Sequence, residues 1–230
     1  MFRGPVFTLF DGLAGRVEPI VVAIHFFSVL AIIFVLFPFH ECAHALSAKL
    51  LGDETAQRQG RLTLNPFAHI DMMGAIFMFL MSFGWAKPVP VEPRNATRKV
   101  TVRGFISLTA AAGPVSNVIL SFVFVIISKI CYLNHQQAMF YMGYAFRLIA
   151  QISVYLAVFN LFPIPPLDGS KILYYFLKTK HIIFMERNMM IIRFVFLALI
   201  FFPPYILSGV IGFVGGYIMK GLDLATFFVK

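Results

Sequence analysis

The chain has 230 residues, 60% of them hydrophobic and 13% charged, with a mean hydropathy of +0.84, which excludes an ordinary water-soluble domain. A helical crossing of a bilayer takes roughly 20 apolar residues, so this length predicts an all-α polytopic membrane protein of about five to six transmembrane helices, residues 1–230 forming one integral-membrane domain. The net charge of +9 sits in the gaps between apolar runs, where cytoplasmic loops and anionic lipid headgroups account for it, and without a basic strip interleaved with aromatics it excludes nucleic acid as a partner.

The first residues are broken by Gly, Pro and acidic side chains, and no cleaved signal peptide is expected. The first apolar run, Ile20 to Phe39, continues into HECAHALSAKLLGD. As one helix, Ile20 to Leu51 would be about 48 Å long, more than one crossing needs, and Pro38 is the predicted bend. Gly52 reads as its C-terminal stop. Residues 53–71 are polar loop or hairpin, with a β-like stretch from Arg61 to Leu64. Met72 to Trp85 would span only about 21 Å and reads as a re-entrant piece.

Lys87 to Arg103 carries five basic residues and three prolines and must be aqueous. Phe105 to Leu133 is the next crossing; its AAAGPVSN stretch has small residues that admit a close neighbouring backbone. Met139 to Phe162 follows and ends in PIPPLDG. The tail, Met189 to Met219, is cut by Pro203-Pro204 and four glycines and reads as two short spans or one broken one. Basic stretches at 86–103 and 171–187 lie inside by the positive-inside rule. That places Asp168 near the cytoplasmic face; Lys49, Arg58 and Arg61 place the end of the first helix there too and so the N-terminus outside. Cys42 and Cys131 lie in or beside apolar helices and predict no disulfide.

His40-Glu41-Cys42-Ala43-His44 is an HExxH sequence on a helix. His40 and His44 differ by only about 40° around the axis and one turn along it, so both imidazoles reach one divalent ion. Glu41 lies on the adjoining face, where it can take a proton from an activated water without being a ligand. The alternative is a pair of helix-packing histidines with Glu41 bonded to a neighbouring helix. Cys42 lies on the opposite side of the helix and reads as a small buried side chain. A third ligand must come from elsewhere. Asp168 follows Pro165-Pro166 where a membrane helix has been interrupted, and a cation would make its burial favourable; the alternative is an N-cap of a short helix. Glu186 and Asp223 are competing acids in solvated, basic surroundings.

Of the remaining polar residues, His25 is about 22 Å along the helix from His40, too far to share an ion, and an interhelical hydrogen bond is expected of it. His69 reads as loop-stabilising or lining a substrate path. Arg147 reads as snorkelling and Gln151 as bonding across helices. Asn117 is a second polar group beside the site or a helix-packing residue.

Over residues 30–177 the motifs LGD after the HExxH helix, GRLTLNPFAHID, FGWAKPVPVEPRN, AAAGPVSN and NLFPIPPLDG resemble, in that order, the site-2 protease family of intramembrane zinc metalloproteases (peptidase family M50), in the compact form without PDZ or CBS domains. The resemblance implies that His40, His44 and Asp168 hold one zinc ion per chain, that Glu41 is the catalytic base, and that Asn160 positions substrate or stabilises the oxyanion. It implies a metalloendopeptidase acting on transmembrane protein substrates, with a catalytic core at about residues 20–177 and C-terminal hydrophobic helices at about 189–220. The expected location is the bilayer of a bacterial inner membrane, the site nearer the cytoplasm. IDMMG after His69 and Ser170-Lys171 after LDG depart from the family pattern without touching a ligand. Two imidazoles and a carboxylate also accept other divalent ions. A zinc-binding membrane transporter and a catalytically inactive scaffold are the alternatives to hydrolysis.

Overall fold

The computed structural model describes residues 11, 13–16, 18–81, 83–97, 100–201 and 204–229. Residues 1–10, on which the signal-peptide reading falls, and Pro203 lie outside them. The described chain is helical: α1 (Pro19–Leu50), α2 (Thr55–Arg58), α3 (Met72–Met81), α4 (Val102–Tyr132), α5 (Gln137–Asn160), α6 (Asp168–Leu173), α7 (Thr179–Arg187), α8 (Met189–Phe201) and α9 (Pro204–Ala225). Among the described residues four helices are long and apolar enough to cross a membrane, namely α1, α4, α5 and the Leu207–Ala225 part of α9. The sequence predicted five or six crossings. The difference lies in two shorter apolar helices, Met72–Met81 and Met189–Ala198. The latter answers the question left by the tail, which forms two helices rather than one.

α1 runs unbroken through Pro38. A π turn over Ile32–Leu36, closed by the Phe37 N–H on the Ile32 carbonyl, shifts the hydrogen-bond ladder just ahead of the proline, where an N–H is missing in any case. The helix ends as predicted. Gly52 takes φ +103°, its N–H bonds the Lys49 carbonyl at 2.9 Å and the Asp53 N–H bonds the Ala48 carbonyl at 2.9 Å, the paired closure of a Schellman end. A side chain at Gly52 would also meet Thr97.

The expected β-like stretch does not form, and no strand is present among the described residues. Arg61 folds inward and donates to the Lys87 carbonyl at 2.6 Å, and the Thr63 carbonyl accepts from His69 Nε2 at 2.9 Å. Of the backbone that alternation assigned to a ladder, the Arg61 N–H closes on the Ala56 carbonyl and the Thr63 carbonyl is engaged by the His69 side chain. The one antiparallel bridge among these residues joins Ile70 to Ala86. It starts an extended segment that runs back over α1.

α4 and α5 form the centre. Ser121 Oγ donates to the Ala150 carbonyl at 2.8 Å, Ser128 Oγ to the Gly143 carbonyl at 2.7 Å and Ser153 Oγ to the Asn117 carbonyl at 2.8 Å. These bonds across small residues hold the two backbones close. Val125, Ala150, Val154, Val158 and Met219 make the core between α4, α5 and α9. Arg147 forms a two-pronged pair with Asp223, so α9 is tied to α5 by charge as well as by packing.

Candidate metal centre

Three elements converge on one point. On α1 His40, His44, Ala45 and Ala48 are buried, and His40 and His44 meet Thr109, Gly113 and Asn117 of α4. On α4 the facing residues include Ala110, Gly113 and Pro114. α6 brings the third group. α5 stops at Asn160, prolines at 163, 165 and 166 prevent a helix from continuing, and Asp168 opens α6. Gly169 permits this close return, since a Cβ there would lie 2.1 Å from the Leu161 carbonyl oxygen. α4 holds the rest of the segment, with Arg103 donating to the Leu177 carbonyl at 2.7 Å and to Thr179 Oγ1 at 2.6 Å.

His40 Nε2 lies 3.1 Å from Asp168 Oδ2, His44 Nε2 lies 3.2 Å from the same oxygen, and the two Nε2 atoms are 3.1 Å apart. A tetrahedral ion with bonds of 2.0–2.1 Å separates its ligand atoms by about 3.3 Å, so the three atoms already form one face of such a site. All three residues are at least 90% buried. A Cβ built on Gly113 would sit 2.5 Å from His44 Nε2 and 2.6 Å from His40 Nε2, so the missing side chain leaves a cradle where an ion would lie. The donor set fits a divalent metal of the zinc type.

The His44 Nδ1–H donates to the Thr109 carbonyl at 2.7 Å. A carbonyl only accepts, so Nδ1 carries a proton, and in the neutral ring the Nε2 lone pair faces the cradle. Burial would raise the carboxyl pKa of Asp168, but bonds and charge from the two imidazoles, in the form in which they are protonated toward it, would hold it far below the usual carboxylate range. Asp168 is the first residue of α6, and its carboxylate makes no cap; it is turned to the histidines instead.

Glu41 is half-buried, and its Oε2 accepts the Val89 N–H at 3.0 Å. Val89 belongs to the extended segment, which is also pinned by the Lys87 N–H on the His69 carbonyl at 2.8 Å and the Glu92 N–H on Asp53 Oδ2 at 2.7 Å. Asp53 is fully buried. Burial raises its pKa, but bonds from Thr55, Glu92 and Asn95 outweigh that and lower it below the ordinary value.

Asn160 makes no side-chain hydrogen bond to this cluster among the described residues. Its Nδ2 donates to the Leu156 carbonyl of its own helix at 2.9 Å, its only hydrogen bond among the described residues. His69 is 1% exposed and bonded to Thr63, which is the loop-stabilising role. His25 is exposed on the far half of α1. Gln151 donates to Tyr155 one turn along its own helix at 2.7 Å rather than across helices, because Tyr155 offers a closer acceptor. Arg147, expected to snorkel, is paired with Asp223. Asn117 contacts His40. Gly113 was visible in the sequence only as a packing residue, and the Val89 N–H is a main-chain group that no side-chain pattern announces.

A match to peptidase family M50 covers residues 128–203, which include Asn160 and Asp168 but not the HExxH sequence. The chain is 43% identical over 143 residues to YwhC of Bacillus subtilis (strain 168), whose name proposes a zinc metalloprotease; the alignment covers 60% of this chain and 64% of that protein. Two proteins named Rip2 carry the same proposal in their names. The one from Mycolicibacterium smegmatis is 30% identical over 56% of this chain and 49% of its own length. The one from Mycobacterium tuberculosis is 30% identical over 68% of this chain and 60% of its own length. The chain thus spans between half and just under two thirds of the relatives it matches. No solved structure matches it. The chain is thus similar to peptidase family M50 over residues 128–203 and to relatives named as zinc metalloproteases, in keeping with the buried His-His-Asp cluster.

Proposed function

We propose that this chain is an intramembrane zinc endopeptidase that hydrolyses peptide bonds of membrane-spanning proteins, residues 1–230 forming one integral-membrane protease domain. The observation that carries the reading is the convergence of His40 Nε2, His44 Nε2 and Asp168 Oδ2 within 3.2 Å of one another around the space left by Gly113. In this reading His40, His44 and Asp168 are the zinc ligands. Zinc held there supplies a Lewis acid that acidifies a water and polarises a carbonyl.

Glu41 is the general base and acid. Its carboxylate takes a proton from the attacking water and returns it to the departing amine nitrogen. The Val89 N–H now holds that carboxylate in place. Asn160 serves the substrate only after its Nδ2 leaves the Leu156 carbonyl, and then donates to the oxygen on which negative charge develops. The substrate must be unwound locally, because helical carbonyls are spent on their own hydrogen bonds. The extended segment around Val89, beside Glu41, is the surface along which such a peptide lies.

His40 lies ten residues, about 15 Å, from the α1 end at Leu50. Lys49, Arg58, Arg61, Lys87 and Arg94 gather at that end of the sequence, which supports a site reached from the cytoplasmic face of a bacterial inner membrane. Purified wild-type protein and Glu41→Gln are compared for zinc content and for cleavage of a single-span substrate in proteoliposomes. The reading predicts near-stoichiometric zinc in both and cleavage by wild type alone, with a loss of about a hundredfold or more. Normal cleavage by Glu41→Gln would remove Glu41 from its role. Zinc moving across the vesicle membrane would favour transport.

A further inference from the structure

Asn117 is 0% exposed on α4. Its Nδ2 lies 3.2 Å from His40 Nδ1, and its Oδ1 meets no donor among the described residues. A buried amide oxygen left without a donor is uncommon and costly. It lies beside a ring whose other nitrogen faces Asp168 and His44.

His44 shows how the pair is balanced on its other member. Its Nδ1–H is taken by the Thr109 carbonyl, which leaves Nε2 free as a lone pair. For His40 to offer Nε2 in the same way, its proton must also be on Nδ1 and must find an acceptor. An amide nitrogen is not one. A half-turn of the Asn117 amide exchanges two groups of equal size and puts Oδ1 opposite Nδ1–H. In the other orientation Nδ2 donates to Nδ1, the proton moves to Nε2, and it is spent on Asp168 Oδ2, 3.1 Å away. The two amide orientations correspond to two tautomers, one closed on Asp168 and one open to an ion.

We infer that Asn117 is a positioning residue that selects the His40 tautomer, its Oδ1 accepting the His40 Nδ1–H whenever the site holds a metal. The inference rests on the zinc reading above. The fold serves the role from two sides. Ser153 Oγ on α5 holds the Asn117 carbonyl at 2.8 Å, which fixes the turn. Gly113 lies one turn before Asn117 on the same face, so the residue that makes room for the ion and the residue that orients its ligand are presented together.

The test measures zinc affinity by chelator competition on the full chain in detergent for wild type, Asn117→Leu and Asn117→Asp. Leucine keeps the volume and has no acceptor; aspartate keeps the acceptor and cannot donate. Loss of such a partner weakens metal binding about 10–100-fold, so Asn117→Leu falls by that factor while Asn117→Asp binds at least as tightly as wild type. Equal affinity in Asn117→Leu, or Asn117→Asp as weak as Asn117→Leu, overturns the inference. A second measurement needs no variant. Nitrogen-15 spectra of imidazole-labelled, zinc-loaded wild type should show His40 protonated at Nδ1, and a His40 protonated at Nε2 overturns the inference. If wild type binds no zinc, or His44→Ala binds it equally well, the metal reading itself fails and this inference falls with it. Zinc binding by wild type that Asn117→Leu leaves unchanged overturns this inference alone.

Discussion

His40, His44 and Asp168 stand on helices that approach closely at Gly113 and Gly169, whereas the segment facing Glu41, residues 83–92, is tied down by individual hydrogen bonds, two at Lys87 and one each at the Val89 and Glu92 N–H. The first wall gets its precision from packing, which moves only if a helix moves. The second gets it from contacts worth about 1 kcal/mol each to neutral acceptors and about 1.5–3 kcal/mol each to carboxylates. Pro88 and Pro90 bring no N–H, so this segment cannot join a broader sheet on that edge. A hydrolase acting on peptides needs such a division. Under the proposed function the ion must not shift, while the segment beside Glu41 must yield its Val89 N–H to an incoming backbone.

The strongest way to break the first wall without touching a ligand is Gly113→Ala. The new Cβ would lie 2.5–2.6 Å from both imidazole Nε2 atoms, in the space an ion needs, so one ring must turn away. Zinc content of the purified protein is expected to fall from about one per chain to near zero. The helix should not suffer, since alanine is the better helix former by about 1 kcal/mol. Thermal unfolding of the metal-free form would therefore be unchanged or slightly higher. Full zinc loading in Gly113→Ala would show that the ion lies elsewhere.

This wall was largely legible in the sequence, and the other was not. His40 and His44 follow from helical periodicity, Gly52 from the stop it supplies, and Asp168 from the cost of a carboxylate at an interrupted membrane helix. Each is a local cause with a local trace. What ties down residues 83–92 is non-local. A buried Asp53, a main-chain N–H on Glu41 and an inward Arg61 leave no mark in alternation or hydropathy, so Arg61 to Leu64 passed for a strand. Ile70 and Ala86 make the bridge instead, while in the earlier stretch the Arg61 N–H closes on Ala56 and the Thr63 carbonyl is taken by His69. Apolar length alone counted five or six crossings, and among the described residues it divides into four helices long enough to cross and two shorter apolar ones.

Asp53 is the place to loosen the second wall alone. Asp53→Ala removes the acceptor for the Glu92 N–H, for the Thr55 N–H and hydroxyl, and for Asn95 Nδ2. Amide exchange at Glu92 should lose about 1.5–3 kcal/mol of protection, with zinc content unchanged. The pH dependence has a definite sign. The carboxyl is held below its ordinary value in the folded protein, so its contribution is complete above the unfolded value of about 3.9 and is lost as pH falls from there through the folded value. Protection at Glu92 should be flat from neutrality to about pH 5 and decline below about pH 4. Asp53→Asn should abolish the decline. A decline that persists in Asp53→Asn would assign it to another group.

The smallest effects are expected where the packed wall uses hydrogen bonds at all. Ser121 and Ser128 each donate to a carbonyl of α5, and bonds of this kind between membrane helices average about 0.6 kcal/mol. Each serine to alanine should cost about that much in reversible unfolding, because the carbonyls keep their helical partners and only the hydroxyls lose theirs. The two sites are seven residues apart, about 10 Å along α4, so the double variant should show the sum. Zinc affinity should not change in either, because close approach of α4 and α5 rests on the buried small residues and not on the hydroxyls. A cost of several kcal/mol, or a loss of metal on removing Ser121, would mean that the rigid wall is also held by its individual bonds, and the contrast with residues 83–92 would then be one of burial alone.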